Sequence, residues 1–176
     1  MPRNLASLSF PEKYDTGRFV FQITIMAATP STSKKINEKN MIKKIIVDFM
    51  AALCRKDVKT MLSFYAVDLI AFDVKPPFQV KGAIAWRHIW EACIDYFPAS
   101  FTTEIRELTI RAGNDIAFAH YMFRLKGPEK DHPAMQTWLR ITSCFKKEQS
   151  KWKIVHEHGS VPFHPHTLQA MFTLNP

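Results

Sequence analysis

Apolar residues recur along the chain with two different periods, and the change of period divides it. Ile42, Ile45, Ile46, Phe49, Met50 and Leu53 fall at i, i+3, i+4, i+7, i+8 and i+11, the stripe of one amphipathic helix that begins near Ser33. Its other face carries Lys34, Lys35, Lys39, Lys43, Lys44, Arg55 and Lys56 against Glu38 and Asp48. Asp57 is placed to cap a second, short helix with Val58, Met61, Leu62 and Tyr65, since a carboxylate can accept from the free N–H groups of a first turn. The period then shortens. Residues 68–74 read as a strand that breaks at Pro76-Pro77, and 78–81 return from that turn before Gly82. Trp86, Ile89, Trp90, Cys93, Ile94 and Phe97 restore the helical spacing until Pro98 stops it. Residues 101–111, 116–126, 135–145 and 151–160 then alternate as four strands, separated by Gly-, Pro- and Lys-containing breaks. Two helices, a strand pair, a helix and four consecutive strands predict an α+β domain, with helices on one face of a curved, mainly antiparallel sheet.

The ends read differently. Residues 1–33, punctuated by Pro2, Pro11 and Pro30, form an appended arm; 34–163 form the domain; 164–176 form a tail that ends in one short helical turn. Within the arm, residues 19–28 are a short apolar run that imitates a signal segment, although Gln22 and Thr24 interrupt it. A flexible or strand-forming extension, or a natural start at Met26, accounts for the same residues. No run approaches the roughly 20 apolar residues that span a bilayer. The expected compartment is the cytoplasm, with export as the alternative if 19–28 is a signal segment.

Composition narrows the classes. Of 176 residues 47% are apolar and 12% aromatic, which excludes a wholly disordered chain and supplies a real core. Cys54, Cys93 and Cys144 are widely spaced and odd in number, so neither a disulfide framework nor a CxxC zinc site is available. The net charge of +8 invites a nucleic-acid reading. However, the lysines of 34–56 flank an apolar stripe, and Lys146, Lys147, Lys151 and Lys153 sit at a hairpin without interleaved aromatics. Both clusters read as solvated surface, and neither nucleic acid nor membrane is expected as a partner. GxGxxG, P-loop, GxSxG and HExxH motifs do not occur, so no cofactor is expected.

The order of elements, together with 57–66 (DVKTMLSFYA), Lys81-Gly82 opening an aromatic helix, and the closing 152–160 (WKIVHEHGS), resembles the SnoaL-like, ketosteroid-isomerase-like branch of the nuclear-transport-factor-2-like superfamily. The likeness covers residues 36 to about 163. It implies a cone-shaped, cystatin-like fold in which a bent sheet wraps a long helix around an apolar pocket open at one end, commonly as a homodimer. Isomerases, dehydratases, cyclases, epoxide hydrolases and non-catalytic assembly domains share that fold, so the fold alone does not choose a reaction.

Asp73 stands eight residues after Tyr65, similar to the way the general-base aspartate of the family's steroid isomerases follows an aromatic residue. Desolvated beside a pocket it would shuttle a proton between carbons; the alternative is a solvated turn aspartate. The positions where those isomerases carry an oxyanion-binding tyrosine and a carboxylic acid correspond to Phe49 and Ile141, which argues against standard ketosteroid isomerisation. His156 and His158 lie two apart on a strand and are assigned by alternation to the face of Trp152, Ile154 and Ser160. They line the cavity as donor and acceptor, or are structural; a metal would need a third ligand, and neither His88 nor His120 is tied to the pair by spacing. Arg140, on a face with Trp138, Thr142 and Cys144, clamps a ligand oxygen or pairs at a dimer face with an acid such as Glu104 or Glu157. His120, between Phe118 and Met122, is equally open.

The site expected from the sequence is therefore Asp73 as base, with His158 and Arg140 orienting an oxygen. Tyr65, Trp86, Trp90, His120, Trp138 and His156 are its expected walls, and no metal is expected. The ligand would be a small apolar molecule with a polar tip, and any catalysis a cofactor-independent proton transfer, isomerisation or dehydration. The alternative is a non-catalytic oligomerisation or ligand-sensing module.

Overall fold

A computed structural model describes residues 32–176; the arm's apolar run at 19–28 and Met26 lie outside the described residues. Helix α1 spans Thr32–Cys54, and the stripe read from the sequence is its inner face: Ile42, Ile46, Phe49, Met50 and Leu53 are all buried. Helix α2, Val58–Leu62, is capped as expected by Asp57, whose carboxylate accepts from Thr60 N–H at 3.0 Å. Hydrogen bonding from Thr60, by its side chain first and then by this N–H, holds the Asp57 carboxyl below its ordinary pKa. Tyr65 does not extend α2; it opens strand β1, Tyr65–Phe72, which starts three residues earlier than the alternation suggests. Strand β2, Val80–Lys81, pairs back onto β1. Gly82 then turns the chain at φ 86, a left-handed value that suits glycine, while its N–H donates to Leu69 C=O at 2.7 Å.

Helix α3 runs Ala83–Cys93 and tightens into a 3-10 turn over Ile94–Tyr96 before Pro98. Strands β3 (Thr102–Ala112), β4 (Ile116–Lys126), β5 (Leu139–Glu148) and β6 (Lys151–Ser160) complete one six-stranded sheet in the order β2-β1-β6-β5-β4-β3. Every pairing is antiparallel except β1 with β6. Residues 135–138 are not part of β5. Pro133–Gln136 form a single helical turn, α4, because proline suits a first helical position and His132 Nδ1 accepts from Ala134 N–H at 3.2 Å. The tail holds no helix beyond one hydrogen-bonded turn, in which Leu168 N–H donates to His164 C=O at 2.8 Å, and that turn lies within a loop closed by the bridge of Phe163 to Ala170 rather than at the end of the chain.

The core lies between α1, α3 and the concave face of the sheet, where Ala117, Ala119, Tyr121, Phe123, Ile141, Phe145, Trp152 and Ile154 are buried. One clasp ties α1 to the β5–β6 hairpin. Glu38, 6% exposed, accepts from Trp152 Nε1 at 2.7 Å and pairs with Lys147 Nζ at 2.6 Å. Two residues that read as solvated charge are thus a largely buried ion pair, satisfied by an indole N–H, as a charge removed from water requires. No helix among the described residues is long and apolar enough to cross a membrane.

Candidate functional site

Between α1, α3 and the sheet lies a cavity of about 650 Å³. Its helical wall is aromatic: Phe49 meets Tyr65 at 5.9 Å and Trp90 at 6.2 Å, and Trp86 meets Trp90 at 5.8 Å, all edge to face. The sheet wall includes Tyr121, Phe123, Leu139, Ile141 and Gly159, and among these apolar surfaces stands one carboxylate, Glu157. Tyr65 hydroxyl donates to its Oε1 at 2.9 Å and Ser143 hydroxyl to its Oε2 at 3.2 Å.

Register explains how Glu157 comes to face inward. Phe145 pairs with Ile154 but Cys144 pairs with His156, so Val155 is an extra, bulged residue in β6. Before the bulge the inward residues are Trp152 and Ile154; after it Glu157 lies opposite Ser143 and Ala71, both buried, and Gly159 opposite Ile141. A bulge of this kind inverts the alternation of the strand and re-aims side chains.

Burial dominates the chemistry of Glu157. It pushes the carboxyl from an ordinary 4.5 up to about 7; the bonds from Tyr65 and Ser143 oppose the rise and the nearby negative charge of Asp73 adds to it. The same burial, with the Glu157 charge beside them, raises the Tyr65 and Tyr121 hydroxyls well above the usual phenol range. Both phenols therefore stay protonated at neutral pH. The indole N–H of Trp86 is directed to the Tyr65 hydroxyl, whereas that of Trp90, a cavity-lining residue, is buried and reaches no hydrogen-bond partner among the described residues.

Of the residues expected from the sequence, Asp73, Trp86 and Trp90 line the cavity, and Tyr65 stands behind it on Glu157. Asp73 is held by Val74 N–H at 2.7 Å and by Lys75 Nζ at 3.5 Å. The others are corrected. His156 and His158 do not share the face of Trp152 and Ile154, because the bulge intervenes; His156 Nδ1 lies 2.9 Å from Ile70 C=O, and both rings edge against Phe72 at 5.0 and 5.7 Å.

Arg140 and His120 occupy the outer face of β5 and β4, where Arg140 pairs in register with Ser160 and Met122 and is exposed. It meets neither acid considered for it. Glu104 is taken by Arg106 and Arg124, and Glu157 faces the cavity. Trp138 is buried between the guanidiniums of Arg106 and Arg124, each 4.7 Å from its ring, and not against a ligand space. The trio Asp73, His158 and Arg140 is therefore not assembled. Glu157, Ser143 and Tyr121 were missed, and a single residue of strand parity concealed the first. Among the described residues no group of three His, Cys, Asp or Glu side chains is placed to hold a metal.

A curved sheet closing on helices around an apolar, open-ended cavity, with the Glu157 carboxyl on its wall, defines a cone-shaped α+β domain. The sequence matches the SnoaL-like domain family over residues 42–164, and the chain belongs to that family. It is 31% identical to an NTF2-like protein of unknown function from Pseudomonas putida, with a TM-score of 0.74 over 80% of this chain and 98% of that one. A cystatin-like-fold protein of unknown function from Nostoc punctiforme shares 18% identity at a TM-score of 0.59 over 69% of this chain and 88% of its own. A ketosteroid isomerase-like protein from Erwinia carotovora atroseptica shares 14% identity at 0.57, over 70% and 95%. The last two likenesses are of fold. No curated protein matches the chain.

Proposed function

We propose that this protein binds a small, mainly apolar molecule with a polar tip and transfers a proton on it without a cofactor, as in an isomerisation or dehydration, with Glu157 as the group that carries the proton. The observation behind the reading is a carboxyl whose pKa of about 7 leaves it shared between acid and base at neutral pH, inside a cavity of about 650 Å³. In the base direction the carboxylate takes a proton from a carbon beside a carbonyl, and the C–H electron pair moves into an enolate. The proton is then returned to another carbon of a conjugated enolate, which re-forms the carbonyl and shifts the double bond, or to a β-oxygen whose C–O bond breaks as the enolate collapses to a carbonyl and a C=C bond, so that water leaves. The indole N–H of Trp90, which has no partner among the described residues, is a donor available to the ligand's oxygen, and desolvation strengthens such a bond. Asp73, joined to Lys75, places a second carboxylate on the cavity wall.

The same reading places the protein in the cytoplasm as a homodimer. Three free cysteines fit a reducing compartment, and exposed Ile116 and Phe118 on the sheet suit a second copy.

Two measurements test the proposal. Native mass spectrometry of the purified chain should reveal a retained small molecule. A panel of cyclic ketones and enones in D₂O, followed by proton NMR, should include members whose α-hydrogen exchange is accelerated by the protein. That acceleration should fall by about a hundredfold or more in Glu157→Gln and persist in His158→Ala and Arg140→Ala. Exchange that is equal in Glu157→Gln and the unaltered chain would refute the assignment.

A further inference from the structure

The family match ends at residue 164, yet the cavity wall does not. Phe172 and Thr173 belong to it. Past β6 the chain folds back on itself: His164 N–H donates to Gln169 C=O and Leu168 N–H to His164 C=O, both at 2.8 Å. Phe163 bridges to Ala170, and Met171 N–H donates to Pro162 C=O at 2.7 Å. These bonds close 162–171 into a loop anchored at the end of β6, and they return the chain so that the residue immediately after the anchor is Phe172. Phe172 is 48% exposed, so one part of it covers cavity and another meets solvent. The remaining walls outside α1, α3 and the sheet are Asp73, Val74 and Lys75 after β1, Tyr96 and Phe97 after α3, and Pro133, Ala134, Gln136 and Thr137 at α4.

We infer that the C-terminal strap, residues 162–173, is the cavity's gate and that Phe172 is a specificity-determining residue, limiting which apolar ligands enter and how fast they leave. The inference rests on the pocket reading above for its ligand, but not for its geometry. The family-wide part of the cavity supplies the acid and the aromatic wall; the strap adds a large apolar ring that lies outside the family match. An aromatic ring at the opening restricts passage to flat or narrow apolar molecules, and an anchored loop can open without disturbing the sheet.

Cys93 supplies a readout that needs no ligand. It lines the cavity, whereas Cys144 stands on the outer face of β5. The rate of N-ethylmaleimide addition at each thiol, resolved by peptide mass spectrometry, is compared in the full chain, in Phe172→Ala and in a chain ending at Pro165. The gate predicts that Cys93 reacts about fivefold faster or more in the shortened chain and about two- to threefold faster in Phe172→Ala, with Cys144 within twofold throughout. An unchanged Cys93 rate in both variants overturns it. Where the shortened chain also speeds Cys144, the fold has loosened and Phe172→Ala decides. The neutral probe 6-propionyl-2-dimethylaminonaphthalene, followed by stopped-flow fluorescence, separates the two claims. A gate predicts faster association and faster dissociation in both variants, and equal rates count against it. Lack of probe binding by the full chain, with Cys93 still gated, counts against the pocket reading and leaves the gate standing.

Discussion

The two faces of the sheet at β6 carry opposite chemistry within three consecutive residues. His156 and His158 point outward against Phe72, one of them bonded to a backbone carbonyl, while Glu157 points inward to Tyr65 and Ser143. The outer residues have ordinary roles in covering the outer face of the sheet. The inner one sits where water is scarce, and its proton affinity changes accordingly. What separates the faces is one inserted residue, Val155, so the position of a reactive group depends here on register more than on residue type.

Substitutions on the two faces should differ in proportion. The largest effect falls on the clasp beneath the inner face. Glu38→Ala leaves Lys147 and Trp152 Nε1 without their carboxylate and should cost about 3–5 kcal/mol of unfolding free energy in guanidinium titrations. A loss below about 1 kcal/mol would show that the pair is solvated after all.

Next comes the pH dependence set by Glu157. Its folded pKa of about 7 stands above the ordinary 4.5, so the folded state holds the proton more tightly than the unfolded one. Its contribution to stability is complete below about 4.5 and is lost as the pH rises through about 7. Stability measured in urea should thus fall by on the order of 2–3 kcal/mol from pH 4.5 to pH 8 through this group alone. Glu157→Gln should flatten that slope. An unaltered slope would mean that other groups produce it.

On the outer face, His156→Ala should cost about 1 kcal/mol for the lost bond to Ile70. His158→Ala and Arg140→Ala should stay within about 0.5 kcal/mol in the same titrations. Larger losses there would move functional weight back to the outer face.

The helices were legible because their apolar spacing is unbroken: from Ile42 to Leu53 the 3.6 period selects residues that are buried apart from half-buried Ile45, and from Trp86 to Ile94 it selects two buried ends with Ile89, Trp90 and Cys93 half-buried between them on the cavity. Strands β3, β4 and β6 were legible from alternation and turn residues. The start of β5 was not, since Met135 and Trp138 continue an apolar pattern that Pro133 diverts into α4. Nor was the pairing of Glu38 with Lys147, which are 109 residues apart and read singly as surface charge. In the site, Asp73, Trp86 and Trp90 could be placed from order and spacing. Glu157 could not, because strict alternation from Trp152 and Ile154 assigns it outward, and a bulge between two β-branched or aromatic neighbours leaves no glycine to announce it.

The central claim is that Glu157 holds a proton near neutral pH inside the cavity. Carbon-13 NMR of the glutamate side-chain carboxyls, with Glu157→Gln supplying the assignment, measures it directly. The account predicts one carboxyl titrating with a midpoint of about 7. A Glu157 midpoint near the ordinary 4.5 would contradict it.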